Sequence, residues 1–259
     1  MKLSAMIKKV LTLAIISAMS IVALNAQLTI YCEDDPPFQI VNKDGSLSGL
    51  TVDVCKEIQK RVGNTDKIQV VPWARGLNEV NTKANTILFS MTRTAERNPL
   101  YKWVGPVNEI SFALYSKSDS NIKINNLNDA KKLKAIGVYN QDVRDQYLTK
   151  QGFTNLERVT DNNINIKKVM TNRLDVYADS NDSYKSNAVA AGYKESDLKP
   201  VYVFMKSQLY IAMSKETPTE TVNKWNKALE DMKKDGSFKK IYDKYFPGKP
   251  LPGPAIEKF

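Results

Sequence analysis

The chain has no histidine and only two cysteines among its 259 residues. The missing histidine removes the side chain that most often serves as a general base or metal ligand near neutral pH. Two cysteines are too few for a structural zinc site. Beyond the first 26 residues no apolar run is long enough to cross a membrane as a helix. Lysine and arginine outnumber acids by 38 to 28, yet they are scattered, with no dense basic block and no nucleic-acid module. The formal net charge of +10 therefore reads as a solvated surface, and no nucleic-acid partner is expected. No internal repeat or low-complexity tract is present.

The N-terminus is where the long apolar stretch lies. Lys2, Lys8 and Lys9 precede the uncharged run from Val10 to Leu24, and Ala26 precedes Gln27. That order is the layout of a secretory signal peptide over residues 1–26. The run is shorter than the roughly 20 residues of a spanning helix, which argues against an anchor. Cleavage there leaves about 233 residues with a net charge of +7, and the expected location is the periplasm. An oxidising compartment makes Cys32 and Cys55 a candidate disulfide pair. Cys32 falls at the end of the first strand and Cys55 on the first helix. The sequence leaves open a bond or two buried thiols.

Short β-like runs alternate with helical patterns. Leu28 to Cys32, Ile68 to Val71, Thr86 to Met91, Val107 to Lys117, Lys134 to Tyr139 and Leu174 to Ala178 read as strands, as do Val201 to Phe204 and Leu209 to Ser214. Val52, Cys55, Ile58 and Val62 recur at helical spacing before Gly63. Leu127 to Lys132 reads as a helical turn and Asn163 to Asn172 as a helix. Val222, Trp225, Leu229 and Met232 share one face of a helix that stops at Gly236, and a short helix carries Phe238, Ile241, Tyr242 and Tyr245. From Pro247 the chain is rich in proline and glycine, which predicts an extended surface segment. The alternation predicts an α/β fold with largely parallel sheets.

These residues fall in a recognisable order. Pro36-Pro37-Phe38, Asp44-Gly45, Gly49 and Asp53 lead to the first helix. Ser90-Met91-Thr92-Arg93-Thr94-Ala95-Glu96-Arg97 follows, then Asn172-Arg173-Leu174-Asp175, then Lys227 to Gly236 with Ile241 and Tyr245-Phe246 behind it. The pattern resembles the extracellular solute-binding proteins of family 3, which feed polar amino acids to ABC importers. Pro72-Trp73-Ala74-Arg75 marks a divergent branch. The resemblance implies a type II periplasmic binding protein fold with two lobes joined by two crossing strands. It places residues 27–109 and 217–259 in the first lobe and 110–216 in the second. It implies a monomer with a small-molecule ligand, an inner-membrane ABC permease as partner, no cofactor and no catalysis. A periplasmic dehydratase-like enzyme or a soluble sensor on the same fold is the alternative.

The resemblance also nominates residues. Arg97 matches the arginine that grips a ligand carboxylate, a task suited to its planar fork of donors. Ser90 and Thr92 match the strand-end positions beside it. Asp142 stands, between Gln141 and Val143, where a neutral Gly-Ser/Thr pair is usual, and its bland reading is a helix N-cap. Asp179 lies one residue before the position of the ammonium-binding aspartate, which here is Ser180. On a strand one residue turns a side chain to the other face. Glu33, Asp34 and Asp35 lie where the first strand opens into the cleft, with a solvated turn as the alternative; facing inward with Asp142, one or two of them would favour a cationic group. Phe38, Trp73, Tyr139 and Tyr177 are candidate aromatic walls, for which core packing is the alternative, and Arg75 is a candidate second anion contact or a surface residue.

In a Gram-negative host the exported protein is expected to begin near Gln27, as read by intact mass of the periplasmic fraction. Full-length chain in the inner membrane would contradict this.

Overall fold

A computed structural model describes residues 27–256. The export segment expected over residues 1–26 lies outside the described residues. The strands are β1 (Thr29–Cys32), β2 (Ile40–Val41), β3 (Leu47–Ser48), β4 (Ile68–Val70), β5 (Thr86–Thr92), β6 (Tyr101–Lys117), β7 (Ile136–Tyr139), β8 (Leu156–Val159), β9 (Val176–Ser180) and β10 (Leu198–Ser214). The helices are α1 (Leu50–Val62), α2 (Trp73–Thr82), α3 (Leu127–Ala130), α4 (Val143–Lys150), α5 (Asn162–Met170), α6 (Tyr184–Ala190), α7 (Thr219–Asp235) and α8 (Ser237–Tyr245).

Eight strands form one sheet in the order β4-β1-β5-β10-β6-β9-β7-β8, and β2-β3 make a small hairpin. Pairing is parallel within β4-β1-β5 and within β9-β7-β8. It is antiparallel where the two 17-residue strands β6 and β10 run between these groups. Parallel strands need helical crossovers, which is why helices cover both faces. Alternation sorts the core accordingly. Ile30, Cys32, Ile87 and Phe89 face α1, α7 and α8, while Tyr31, Leu88 and Ala212 face Trp73, Leu77 and Val80 of α2. In the other half Val138 and Ala178 pack with Val143 and Leu148 of α4, and Tyr115 and Tyr177 pack with Ile166, Val169 and Ala188 of α5 and α6.

The sequence divides β6 and β10 differently from the structure. β6 begins at Tyr101, six residues before the predicted Val107. Gly105-Pro106 looks like a break but sits in a register shift, where Leu209 pairs Asn108 and Ile211 pairs Val104. A bulge tolerates a residue with no amide proton. In β10 the polar stretch Lys206-Ser207-Gln208 is held in the ladder by Ser111, Ile110 and Glu109, so the two predicted strands are one.

Several residues of the sequence pattern weld the chain ends together. Gly49 has φ +116, and a Cβ there would meet the carbonyl oxygen of Phe38 at 2.4 Å. Only glycine fits this close approach. The Gly49 amide donates to the Tyr245 hydroxyl (2.9 Å), which donates to Asp53 (2.6 Å). The predicted tail is extended, but it is anchored. Gly253 donates its amide to Glu109, Ile256 donates to Gln208, and the Lys249 ammonium reaches Asp182 at 2.7 Å.

Of the two readings left open for Cys32 and Cys55, a bond or buried thiols, the structure has the thiols. Cys32 and Cys55 are buried free thiols, packed in one core between β1 and α1. Burial, then Glu33 and Asp34, pushes the Cys32 thiol up to about 12, and burial pushes Cys55 up as well, so neither is reactive in the folded state. Native protein is expected to leave both thiols unlabelled by a maleimide and to react at both in denaturant without reductant. No labelling in denaturant would mean a bond.

Candidate functional site

The two halves of the sheet meet across a cleft bounded by the ends of β1, β5 and α2 on one side and of β7, β9 and α4 on the other. Contacts among the described residues span it. Trp73 donates its indole N–H to the Gln141 carbonyl at 3.2 Å. The Arg97 Nε donates to Gln146 at 3.2 Å, and the Tyr139 hydroxyl donates to Glu33 at 3.0 Å. Lys150 pairs with Glu96 at the rim.

Arg97 sits in the turn after β5 and is only 4% exposed. Its Nη1 donates to the Thr92 carbonyl at 3.3 Å, and its guanidinium lies 5.6 Å from the centre of the Trp73 ring. Its Nη2 is buried without a hydrogen-bond partner. Burial pulls its pKa down, and Asp142 is the first charge that opposes this. Ser90 forms the bulge at the end of β5, in the left-handed region with φ 63, between Phe89 and Met91 where register with β10 shifts. Its hydroxyl accepts from Gln39 and donates to Thr51 at 2.9 Å. A non-glycine residue held there is a strained position of the kind that clusters at binding sites.

Across the cleft the Asp142 side chain caps α4, accepting from the Arg144 amide at 2.8 Å. Arg144, 8% exposed, pairs its Nε with Asp142 and its Nη1 with Asp179 at 2.7 Å. Asp179 has no solvent exposure. It also accepts from the Ser180 amide (2.8 Å), Asn187 (2.9 Å) and Asn162 (3.3 Å). It shares its strand face with Tyr177, toward α5 and α6, while the Ser180 hydroxyl accepts from the Ser183 amide. A cavity of about 450 Å³ lies in front of this cluster, lined among others by Glu33, Asp34, Asp35, Tyr139, Arg144 and Asp161.

The structure thus brings Arg97, Trp73, Ser90 and Thr92 together on one side and Asp35, Tyr139, Asp142 and Asp179 around Arg144. Three expected wall or contact residues lie elsewhere. Phe38 is wholly buried and packs against Phe246 at 5.9 Å, and Tyr177 is wholly buried against Tyr115 at 5.8 Å. Arg75 is exposed on α2, because Trp73, Leu77 and Val80 claim the inner face and a residue two positions from Trp73 points outward. The sequence reading passed over Arg144, Gln146 and Asn187. The Asp-x-Arg pair at the predicted start of a helix was the available signal for Arg144.

The model of the bacterial extracellular solute-binding proteins, family 3, matches residues 28–248. The chain belongs to this family. The arginine-binding extracellular protein ArtP of Bacillus subtilis (strain 168) is 25% identical over 224 residues, 83% of this chain and 84% of that protein. The arginine-, lysine-, histidine-binding protein ArtJ of Geobacillus stearothermophilus is 21% identical with a TM-score of 0.73, over 86% of this chain and 97% of that one. A histidine kinase sensor domain similar to periplasmic binding proteins is 15% identical with a TM-score of 0.79, over 88% and 99%. The last two are likenesses of fold, and they agree with the type II periplasmic binding protein architecture. Among the described residues no helix is long and apolar enough to cross a membrane.

Electrostatically, this family 3 cleft is overfilled with acid. Burial pushes the Asp35 carboxyl up to about 7, opposed by Arg144 and reinforced by Asp179 and Asp142. Burial, Asp35 and Asp142 push Glu33 well above the carboxylate range. Burial also raises Asp179, against the pull of Arg144 and its hydrogen bonds. Asp35 therefore favours the folded state while it holds a proton, and that contribution is lost as pH rises through about 7. In ligand-free protein Asp35→Asn is expected to raise stability at pH 8 by about 1–3 kcal/mol and to flatten the decline between pH 5 and 8. Denaturant titrations at several pH values check this, and an unchanged slope would contradict it.

Proposed function

We infer that the chain is a periplasmic solute-binding protein that closes over a basic amino acid or a similar small zwitterion and delivers it to an ABC permease. The observation that carries the reading is Arg97, a buried guanidinium with one nitrogen left without an acceptor. A ligand carboxylate would supply that acceptor and the missing counter-charge. The acidic cavity lined by Glu33, Asp34 and Asp35 supports the cationic half of the ligand. The relatives named for arginine binding point the same way. The lobes would be residues 27–109 with 217–259 and residues 110–216, acting as a monomer and moving about the crossings in β6 and β10 as hinges do. The ligand would be held and released unchanged.

Calorimetry with arginine, lysine, glutamate, glutamine and a neutral sugar tests the reading. Arginine or lysine is expected to bind, and Arg97→Ala to weaken that binding by about 2–5 kcal/mol, the scale for truncating a buried charge-assisted contact. Heat with glutamate or sugars alone, or an unaffected Arg97→Ala variant, would sink it. Ligand recovered chemically altered would move the chain to the enzyme reading.

A further inference from the structure

Arg144 and Arg97 are both buried arginines of the cleft, but they differ in what they still need. Among the described residues the Arg97 guanidinium makes two hydrogen bonds, both to neutral oxygens, and no ion pair. Arg144 is held by two carboxylates, Asp142 and Asp179. Its guanidinium also lies about 6 Å from the centres of the Phe112 and Tyr139 rings, at 5.9 and 6.0 Å. Burial pulls its pKa down, but Asp142, Asp179 and Asp35 together raise it above the ordinary arginine value, so it stays charged.

Asp179 is correspondingly engaged. It accepts four hydrogen bonds, three at Oδ1 from Arg144, Ser180 and Asn162 and one at Oδ2 from Asn187. With no exposed surface it cannot be touched from the cavity. Arg144 lines that cavity in its place. Glu33 and Asp35 line the same cavity and have no such saturation. Glu33 accepts from the Tyr139 hydroxyl, and the charge of Arg144 opposes the rise of both. The titratable groups lining the cavity, from both walls, are therefore Glu33, Asp34 and Asp35 from the end of β1, Tyr139 and Arg144 from β7 and α4, and Asp161 from the start of α5.

We propose that Arg144 determines specificity by acting as a resident cation. It occupies Asp179, so the cleft has no free acceptor there for a ligand α-ammonium, and Glu33 with Asp35 becomes the seat of a distal ligand cation. The ligand then needs an anionic group for Arg97 and a cationic group at the far end of a chain, and its α-ammonium contributes little. The choice of ligand rests on the proposed function; the state of Arg144 does not.

Two measurements test this. In the first, arginine is compared by calorimetry with 5-guanidinopentanoate, its counterpart without the α-ammonium, and lysine with 6-aminohexanoate. Each pair is expected to bind wild-type protein within tenfold. In Arg144→Ala, where Asp179 is freed, the amino acid should win by more than tenfold. A preference above tenfold for the amino acid in wild type, or no change of preference in the variant, overturns the proposal.

The second measurement needs no knowledge of the ligand. Methylguanidinium at millimolar concentration is expected to raise the melting temperature of Arg144→Ala by several degrees, and to do so neither in wild type nor in Arg144→Ala/Asp179→Asn. Absence of this rescue overturns the resident cation. Arg144→Gln carries the same arms if the alanine variant does not fold. If wild type binds none of the four compounds, the proposed ligand class fails and the methylguanidinium result decides on Arg144 alone.

Discussion

A carboxylate with no solvent exposure must receive its counter-charge from the protein itself, and the inner wall of the cleft is arranged around that demand at Asp179. Taking such a group from water carries a penalty of several kcal/mol that only close pairing and full hydrogen bonding offset. Arg144 supplies the charge, and the first turn of α4 fixes Arg144. Asp142 caps that turn and also grips the Arg144 side chain. Gln141 enters it in the left-handed region, with its amide donated to Asp145 at 3.1 Å. Its carbonyl accepts from both Trp73 and Gln146. The ion pair, the helix start and the closing contacts of the cleft are thus one connected set. Removing one member leaves a buried charge uncompensated, which is costlier than replacing the whole set.

The second constraint is backbone. β6 and β10 are the strands that connect the two halves of the sheet, and their crossing is paired through Glu109 and Gln208. Both residues also hold the C-terminal segment. Glu109 accepts from the Gly253 amide, and Gln208 donates to the Pro254 carbonyl while accepting from Ile256 and Tyr210. Lys249 ties the same segment to Asp182, just beyond β9. The tail is a strap over the crossing, a role that its proline-rich composition does not suggest.

What was legible in the sequence follows from how local each signal is. The helix ends at Gly63 and Gly236 announce themselves because one residue type suits one backbone conformation. The apolar stripe of α7 is equally plain. α4 is not, since it buries Val143, Arg144, Asp145 and Leu148 together, and mixed polar and apolar positions leave no stripe to read. α2 has a clear stripe in Trp73, Leu77 and Val80, but Pro72 reads as the end of a strand unless it is also taken as the start of a helix. In the site, Arg97 is nominated by its motif, whereas its unpartnered nitrogen is a tertiary fact. Asp179 is misplaced by one residue relative to the family pattern, and only the structure reveals that Arg144 already fills it.

Arg97 and Arg144 show why residue type and burial do not by themselves identify a ligand contact. They are 4% and 8% exposed, they lie on opposite walls of one cleft, and each has an aromatic ring near its guanidinium. What separates them is the balance of charge after the protein's own pairings are made. Arg144 has two carboxylates and a settled position. Arg97 has neutral partners and a spare donor, so a burial penalty persists that an incoming anion would relieve. The same reasoning applies to the acids. Asp179 is paired within the fold, while Glu33 and Asp35 are raised chiefly by burial, with Asp35 and Asp142 adding to the rise of Glu33 and Asp179 and Asp142 to that of Asp35. Recognition in this cleft follows from the charges that the fold leaves unmatched: one guanidinium in the turn after β5 and a pair of carboxylates at the end of β1.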